Sequence, residues 1–291
     1  MTTRRDFLKQ AGVFTSALCL TPNLLAKSPY KLGLQLYTIR DAMAADAPGT
    51  LKKISSYGYQ EVEIYGFDGK YYGMTPADFK KLLSDNNLTS PSGHYNLDKF
   101  VLPGKTNDDL LRYVDLCIEG AHMLKQDYIV WPWLDPSLRS LENIKMIADT
   151  LDLIGERIRK GGLQLAYHNH DFEFVDHDGK RGYDIILATN PDNVKLELDL
   201  YWASFMKQNL AQLFERQPGR FVIWHLKDMD KTNPDLHTTM GDGSIDFKSI
   251  LPLASKSGVK HMFVEQGNNY VPDAMQCVAR SAKYTKRELL P

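Results

Sequence analysis

From Tyr30 onward the chain alternates short β-type runs with amphipathic helical stretches, at a repeat of roughly 30 residues. The strand candidates are 31–37 (KLGLQLY), 59–66 (YQEVEIYG), 88–96 (LTSPSGHYN), 127–133 (DYIVWPW), 163–174 (LQLAYHNHDFEF), 194–202 (VKLELDLYW), 221–228 (FVIWHLKD) and 261–266 (HMFVEQ). Helical patterns fall at 48–57, 75–87, 106–122, 137–160, 203–216, 246–257 and 272–288, with a two-turn helix near 183–189. Thr75 before Pro76 is an N-cap followed by proline at the first helical position, and Asp246 precedes another helix. Gly58, Gly120 and Gly258 sit where helices should stop. Eight strands, each followed by a helix, make an α/β chain of the (β/α)8 TIM barrel class. A doubly wound open sheet would show a glycine-rich turn after its first strand, but here that strand runs into Tyr37-Thr38-Ile39-Arg40. We therefore expect a single barrel domain over residues 29–291, with no linker inside it.

Residues 1–28 read as a separate segment. Arg4 and Arg5 precede a moderately apolar run from Ala11 to Leu25 that is interrupted by Pro22, too short to span a membrane. This is the pattern of a twin-arginine (Tat-type) export signal, and it predicts a periplasmic or otherwise exported protein. Beyond it lie Cys117 and Cys277, in helical patterns with nothing to pair them, and both read as buried small hydrophobes.

A net charge of −1 gives no electrostatic reason to expect nucleic acid as a partner. The sequence leaves the oligomeric state open. The chemistry collects at strand ends instead. Four strands in the second half finish in His168 and His170, in Glu197 and Asp199, in His225 with Lys227 and Asp228, or in Glu265. An apolar strand has little reason to carry charge at its tip unless the tips converge, and in a parallel barrel they all open on one face.

Asp199, His225 and Glu265 stand at matching depths on the last three strands, and carboxylates with an imidazole suit one divalent ion of the Mn, Co, Zn or Mg type. His168 is the candidate fourth metal ligand, with Glu173 and Glu197 as rivals; Glu197 could instead orient His168. His170, nearer the mouth, and Glu173 are candidates to exchange a proton with a ligand. Lys227 would stabilise developing enolate or alkoxide charge. Glu63, His94 and Tyr37 are candidate substrate contacts from the first half, and Trp202 could stack on a sugar face. Arg40 reads better as a helix-start salt bridge, and Trp131 as core. Gly241-Asp242-Gly243-Ser244 resembles a phosphate-binding turn, although a tight turn alone explains its glycines. The connection 229–245 lies on the same face, and loops of that length are often functional.

Taken as a set, GLQLYTIRD, EVEIYG, SGHYN, YHNHDFEF, ELDLYW, HLKD, GDGSIDF and FVEQ resemble the sugar phosphate isomerase/epimerase family of xylose-isomerase-like barrels, over 30–288. The resemblance implies a divalent ion held by residues of strands five to eight, and removal of a proton from carbon next to a carbonyl or hydroxyl. Asp199, His225 and Glu265 match the last three ligand positions, whereas the glutamate usual on strand five is His168 here. The YHNH form is similar to the inosose-dehydratase-like branch and to relatives acting on 3-keto-glycosides. The expectation is thus a metal-dependent isomerase or epimerase acting on a carbohydrate: a sugar, keto-sugar or cyclitol. The alternatives are a lyase eliminating a β-substituent and a non-catalytic sugar-binding barrel.

Overall fold

The computed structural model describes residues 28–290. The expected export signal therefore lies, apart from Ser28, outside the described residues. Eight parallel strands close a barrel in the order β1-β8-β7-β6-β5-β4-β3-β2. They are β1 (Leu32–Gln35), β2 (Glu61–Tyr65), β3 (Thr89–His94), β4 (Tyr128–Trp131), β5 (Gln164–His168), β6 (Val194–Asp199), β7 (Phe221–Leu226) and β8 (His261–Val264). All eight expected strands are present, and the chain forms one (β/α)8 barrel. No helix among the described residues is long and apolar enough to cross a membrane.

Alternation along each strand divides the core in two. Leu32, Leu34, Val62, Ile64, Leu165, Leu196, Leu198 and Met262 join the large core under the helices, while Val130, Ala166, Val222, Ile223 and Phe263 form a small separate cluster. That cluster plugs the barrel. Above it the register aligns Gln35 with Glu63, Glu63 with Ser92, His168 with Glu197, and Asp199 with His225. The polar layer is thus laid on an apolar floor at one level of the barrel.

Helix boundaries differ from the sequence expectation where a local device intervenes. The first helix begins at Arg40 and runs to Ser56; it passes Pro48 because Asp46 leaves helical geometry (φ −155, ψ 83) and its side chain caps the Gly49 N–H at 3.0 Å. The third, Asn107–Leu124, continues through Gly120 and ends at Lys125, in the left-handed region at φ 59. A side chain at Gly120 would meet Phe67 and Tyr71, so this glycine serves close packing rather than termination. The stretch 203–216 divides into Leu200–Phe205 and Leu210–Arg216, separated at Lys207 (φ 55) and restarted by the Asn209 side-chain cap. Cys117 and Cys277 are free and buried, as expected.

Candidate active site

Asp199 is both the last residue of β6 and the N-cap of the following helix. Its Oδ1 accepts the N–H groups of Tyr201 (2.8 Å) and Trp202 (3.2 Å), which holds the carboxylate and turns Oδ2 inward. There Oδ2 faces the Lys227 ammonium at 2.7 Å, and the same ammonium lies 2.6 Å from Glu265 Oε2. Glu265 Oε2 is also 2.9 Å from His225 Nδ1. Donor atoms of Asp199, His225 and Glu265 thus lie within 4.8 Å of one another, all buried.

The other ring nitrogen of His225 faces a second pair of carboxylates. Nε2 is 2.7 Å from Glu63 Oε2 and 2.9 Å from Glu197 Oε1. An N–H there donates to carboxylate, which leaves the Nδ1 lone pair for a cation: the carboxylate–histidine arrangement that fixes tautomer and ring orientation in metal sites. Glu63 is itself held by the Gln35 amide (2.7 Å) and the Ser92 hydroxyl (2.6 Å).

His168 repeats the pattern. Its Nδ1 is 3.1 Å from Glu197 Oε2, and its Nε2 points toward Asp199 Oδ2 at 3.9 Å. It groups with His94, Glu197 and His225 rather than directly with Glu265. His94 Nε2 sits between Glu197 Oε2 (2.8 Å) and Glu63 Oε2 (3.1 Å). Four buried carboxylates (Glu63, Glu197, Asp199 and Glu265) therefore share one ammonium and three imidazoles. Neutral imidazoles would leave a clear negative excess, and the oxygen and nitrogen donor set suits a divalent ion of the Zn, Mn or Mg type. The residues present fit such an ion.

Charge states follow from these contacts. Burial opposes the charge on Lys227, but Asp199 and Glu265 outweigh it and hold the ammonium protonated. For His94, burial is likewise overcome by Glu63 and Glu197, which lift the ring to about 9. Burial opposes charge on His225 too, and Glu197 with Glu265 raises it well above the usual imidazole range. His170 goes the other way. Burial, then the nearby His168 and Lys227, push it well below that range, so it is a neutral imidazole. Its Nδ1 is buried without a hydrogen-bond partner among the described residues.

A cavity of about 460 Å³ opens over this layer, lined by Tyr37, Tyr65, His94, Trp133, His168, His170 and Glu265 among others. That volume is in the range of small-molecule clefts. Tyr37 and Trp133 are 44% and 41% exposed, as large aromatics at a ligand mouth would be. Trp133 is held from behind by the Arg139 guanidinium, which stacks on it (4.3 Å) and on Phe172 (4.0 Å). Trp202 lies beside the cluster, 5.9 Å from Lys227 Nζ and 5.8 Å from the His170 ring.

Several sequence expectations need correction. Glu173 is not brought to the cluster. Its carboxylate is buried beneath the mouth, accepting the Tyr167 hydroxyl (2.7 Å) and the His170 N–H (2.8 Å), because the chain turns through Phe172–Phe174 and drives this side chain inward between the flanking phenylalanines. Arg40 meets no carboxylate among the described residues; it donates to Tyr270 Oη and the Tyr37 carbonyl and stacks on Tyr37 at 4.7 Å. The Gly241–Ser244 turn is an anion cradle, but the chain fills it with its own Asp228. That carboxylate accepts the N–H groups of Met229, Gly241, Gly243 and Ile245 at 2.9–3.2 Å. A Cβ at Gly243 would collide with Asp228, so the glycine permits the approach. Trp131 is core, as expected.

Arg139 and His237 are among the site residues that escaped the sequence reading. Arg139 follows a Pro-Ser-Leu turn with no motif to flag it, and only its position after a strand end could have. His237 lies in the connection 229–245, already notable for its length; its backbone pairs with Met229 and brings the ring against Tyr201 and Trp202.

Residues 51–286 match the profile of the family described as "Xylose isomerase-like TIM barrel". An inosose dehydratase from Lacticaseibacillus casei is 27% identical over 228 residues, covering 69% of this chain and 75% of that protein. Among solved structures, a sugar phosphate isomerase/epimerase from Parabacteroides distasonis superposes with a TM-score of 0.79 at 24% identity, covering 89% of this chain and 99% of the other. The IOLI protein with a bound zinc atom superposes with a TM-score of 0.70 at 18% identity, covering 88% and 97%.

Proposed function

This chain belongs to the xylose isomerase-like TIM barrel family, and from that premise we propose that it is a metal-dependent enzyme removing a proton from carbon next to a carbonyl in a sugar, keto-sugar or cyclitol. The observation that carries the reading is the convergence of Asp199 Oδ2, His225 Nδ1 and Glu265 Oε2 at the mouth, beside the Lys227 ammonium. One divalent ion would be held by these three and by His168 Nε2, and when bound it polarises the substrate carbonyl or vicinal hydroxyls.

The chain's own groups divide the remaining work. Glu63 and Glu197 fix the rings of His225 and His168 so that each presents a lone pair. His170, neutral and open to the cavity, takes the proton from carbon. Lys227, kept charged by its two carboxylates, stabilises the negative charge that develops on oxygen. His94, charged and lining the cavity, can return a proton or hold a hydroxyl. Tyr37, Trp133 and Trp202 offer apolar faces to the ring. Glu173 positions His170 by accepting its backbone N–H.

Return of the proton at another carbon or on the other face gives isomerisation or epimerisation; loss of a β-substituent gives dehydration or another elimination. The second outcome is favoured by the similarity to an inosose dehydratase. On the reading of residues 1–28, the enzyme works outside the cytoplasm after export by the Tat route. The test is incubation with Mn or Zn and a panel of inososes, keto-sugars and 3-keto-glycosides in D2O, followed by NMR. Deuterium at the carbon beside the carbonyl supports the proposal. A metal-loaded protein that exchanges no C–H in any of them contradicts it.

A further inference from the structure

The connection 229–245 follows β7 at the C-terminal end of the barrel, the end where the polar layer opens, and has no role in the proposed mechanism. It is anchored twice. The Asp228 carboxylate in the Gly241–Ile245 cradle fixes one end. At the other, His237 is stapled to the segment just after Glu265 by three bonds of 2.8 Å. Its N–H donates to Asn268 Oδ1, its carbonyl accepts the Asn269 amide, and its ring Nδ1 accepts the Gly267 N–H.

The last of these decides the tautomer. A backbone N–H can only donate, so Nδ1 must present a lone pair and the ring proton must be on Nε2. The residue is 5% exposed, and its ring packs edge-on against Tyr201 at 4.5 Å and lies 6.0 Å from Trp202. Among the described residues no protein group pairs with Nε2, and the atom is not among the fully buried polar atoms, so this N–H is open to a ligand or to water. Burial and then Lys227 push the imidazole down to about 4, in keeping with a ring that stays neutral. The charged groups facing it are Lys227, Glu265 and Asp199, the residues around the cation position.

We propose that His237 is a substrate-touching residue, whose Nε2–H donates a hydrogen bond to the carbonyl oxygen that becomes the enolate oxygen when carbon is deprotonated. The inference rests on the proposed function. The balance is simple: the C–H proton goes to His170, the C–H electron pair forms the new C=C bond, and the carbonyl π pair becomes the oxyanion. His237 keeps its proton throughout. A neutral donor is suited to this because its hydrogen bond strengthens as charge builds on oxygen, without competing for the proton. The substrate class is accordingly one with an exposed ketone beside an acidic C–H, such as a keto-cyclitol or keto-sugar.

The test compares His237→Phe, which keeps the packing on Tyr201, with His237→Gln, which restores an N–H donor. Deuterium exchange into 2-keto-myo-inositol is followed with Zn loaded, alongside metal content and ¹⁵N NMR of the His237 ring. The expected result is a fall in kcat of about 10²–10³-fold for His237→Phe with metal content unchanged, partial recovery in His237→Gln, and an unaltered pH profile. Exchange by His237→Phe at the parent rate, or loss of bound Zn in both variants, overturns the proposal. If the parent protein exchanges nothing, the proposed function fails for this probe, and the NMR arm still judges the residue: a neutral Nε2–H ring at pH 7 supports the assignment, whereas an Nδ1–H or doubly protonated ring overturns it.

Discussion

His225 Nε2 lies 2.7 Å from Glu63 Oε2, although 162 positions separate the two residues in the chain. Closure of the barrel makes the contact, since β1 bridges β2 on one side and β8 on the other. The first half of the chain thereby orients a candidate ligand in the second. Glu63→Gln keeps the shape and one acceptor but removes the charge that makes His225 a better base toward metal. Metal affinity should fall about 10–100-fold, measured by competition with a chelating dye. Unchanged affinity would remove Glu63 from the ligand-orienting role.

Lys227→Ala should separate chemistry from metal binding. Without the ammonium, Asp199 and Glu265 lose their internal counter-charge, so the site should hold a divalent ion at least as tightly as before. Turnover should fall about 10²–10³-fold in kcat. A variant that turns over at the parent rate would show that the charge on Lys227 does not stabilise the transition state.

Metal binding should release protons near pH 7. Glu197 and Glu265 hold His225 protonated against its burial, and an ion can take Nδ1 only after that proton leaves. Affinity should therefore weaken as pH falls. Calorimetry in buffers of different ionisation enthalpy reads the proton count directly; binding heats independent of buffer would contradict this.

Glu173 gives a stability prediction away from the metal. Burial outweighs the Tyr167 and His170 hydrogen bonds and lifts its carboxyl to about 7, above the unfolded value near 4.5. Between those two values the folded state binds more protons than the unfolded one, so this group's contribution to stability is full below about pH 4.5 and is lost as pH rises toward 7. Glu173→Gln removes the ionisation, and the Tyr167 hydroxyl can reverse to accept from the amide. The variant should gain about 1–3 kcal/mol over the parent at pH 8 and nothing at pH 4, seen as a Tm difference present only at the higher pH.

Much of this architecture was legible because barrel strands repeat a signal the sequence can carry: an apolar run ending in a charged tip. The short β-type runs marked all eight strands, and the polar tips that six of them carry named Asp199, His225, Glu265, His168, Glu63 and His94, which the fold brings to one layer. The signal failed where a turn, rather than a strand, sets the side chain's direction. Glu173 lies only five residues past His168, yet the turn after β5 rotates it under the mouth to brace His170. The Gly241–Ser244 turn has the backbone of an anion site, but only the fold reveals that Asp228 already fills it. His237 is set by hydrogen bonds to Gly267, Asn268 and Asn269, a relationship between two loops that no periodicity announces.

The central claim is that Asp199, His225 and Glu265 meet around a single divalent ion. Elemental analysis of the purified protein and of Asp199→Asn, which preserves the Oδ1 cap on the following helix, tests it most directly. The account predicts one tightly held divalent ion per parent chain and essentially none in the variant, with the fold intact by circular dichroism. A parent protein that retains no metal after equilibration with Zn, Mn, Co or Mg, or a variant that retains it in full, would contradict the claim.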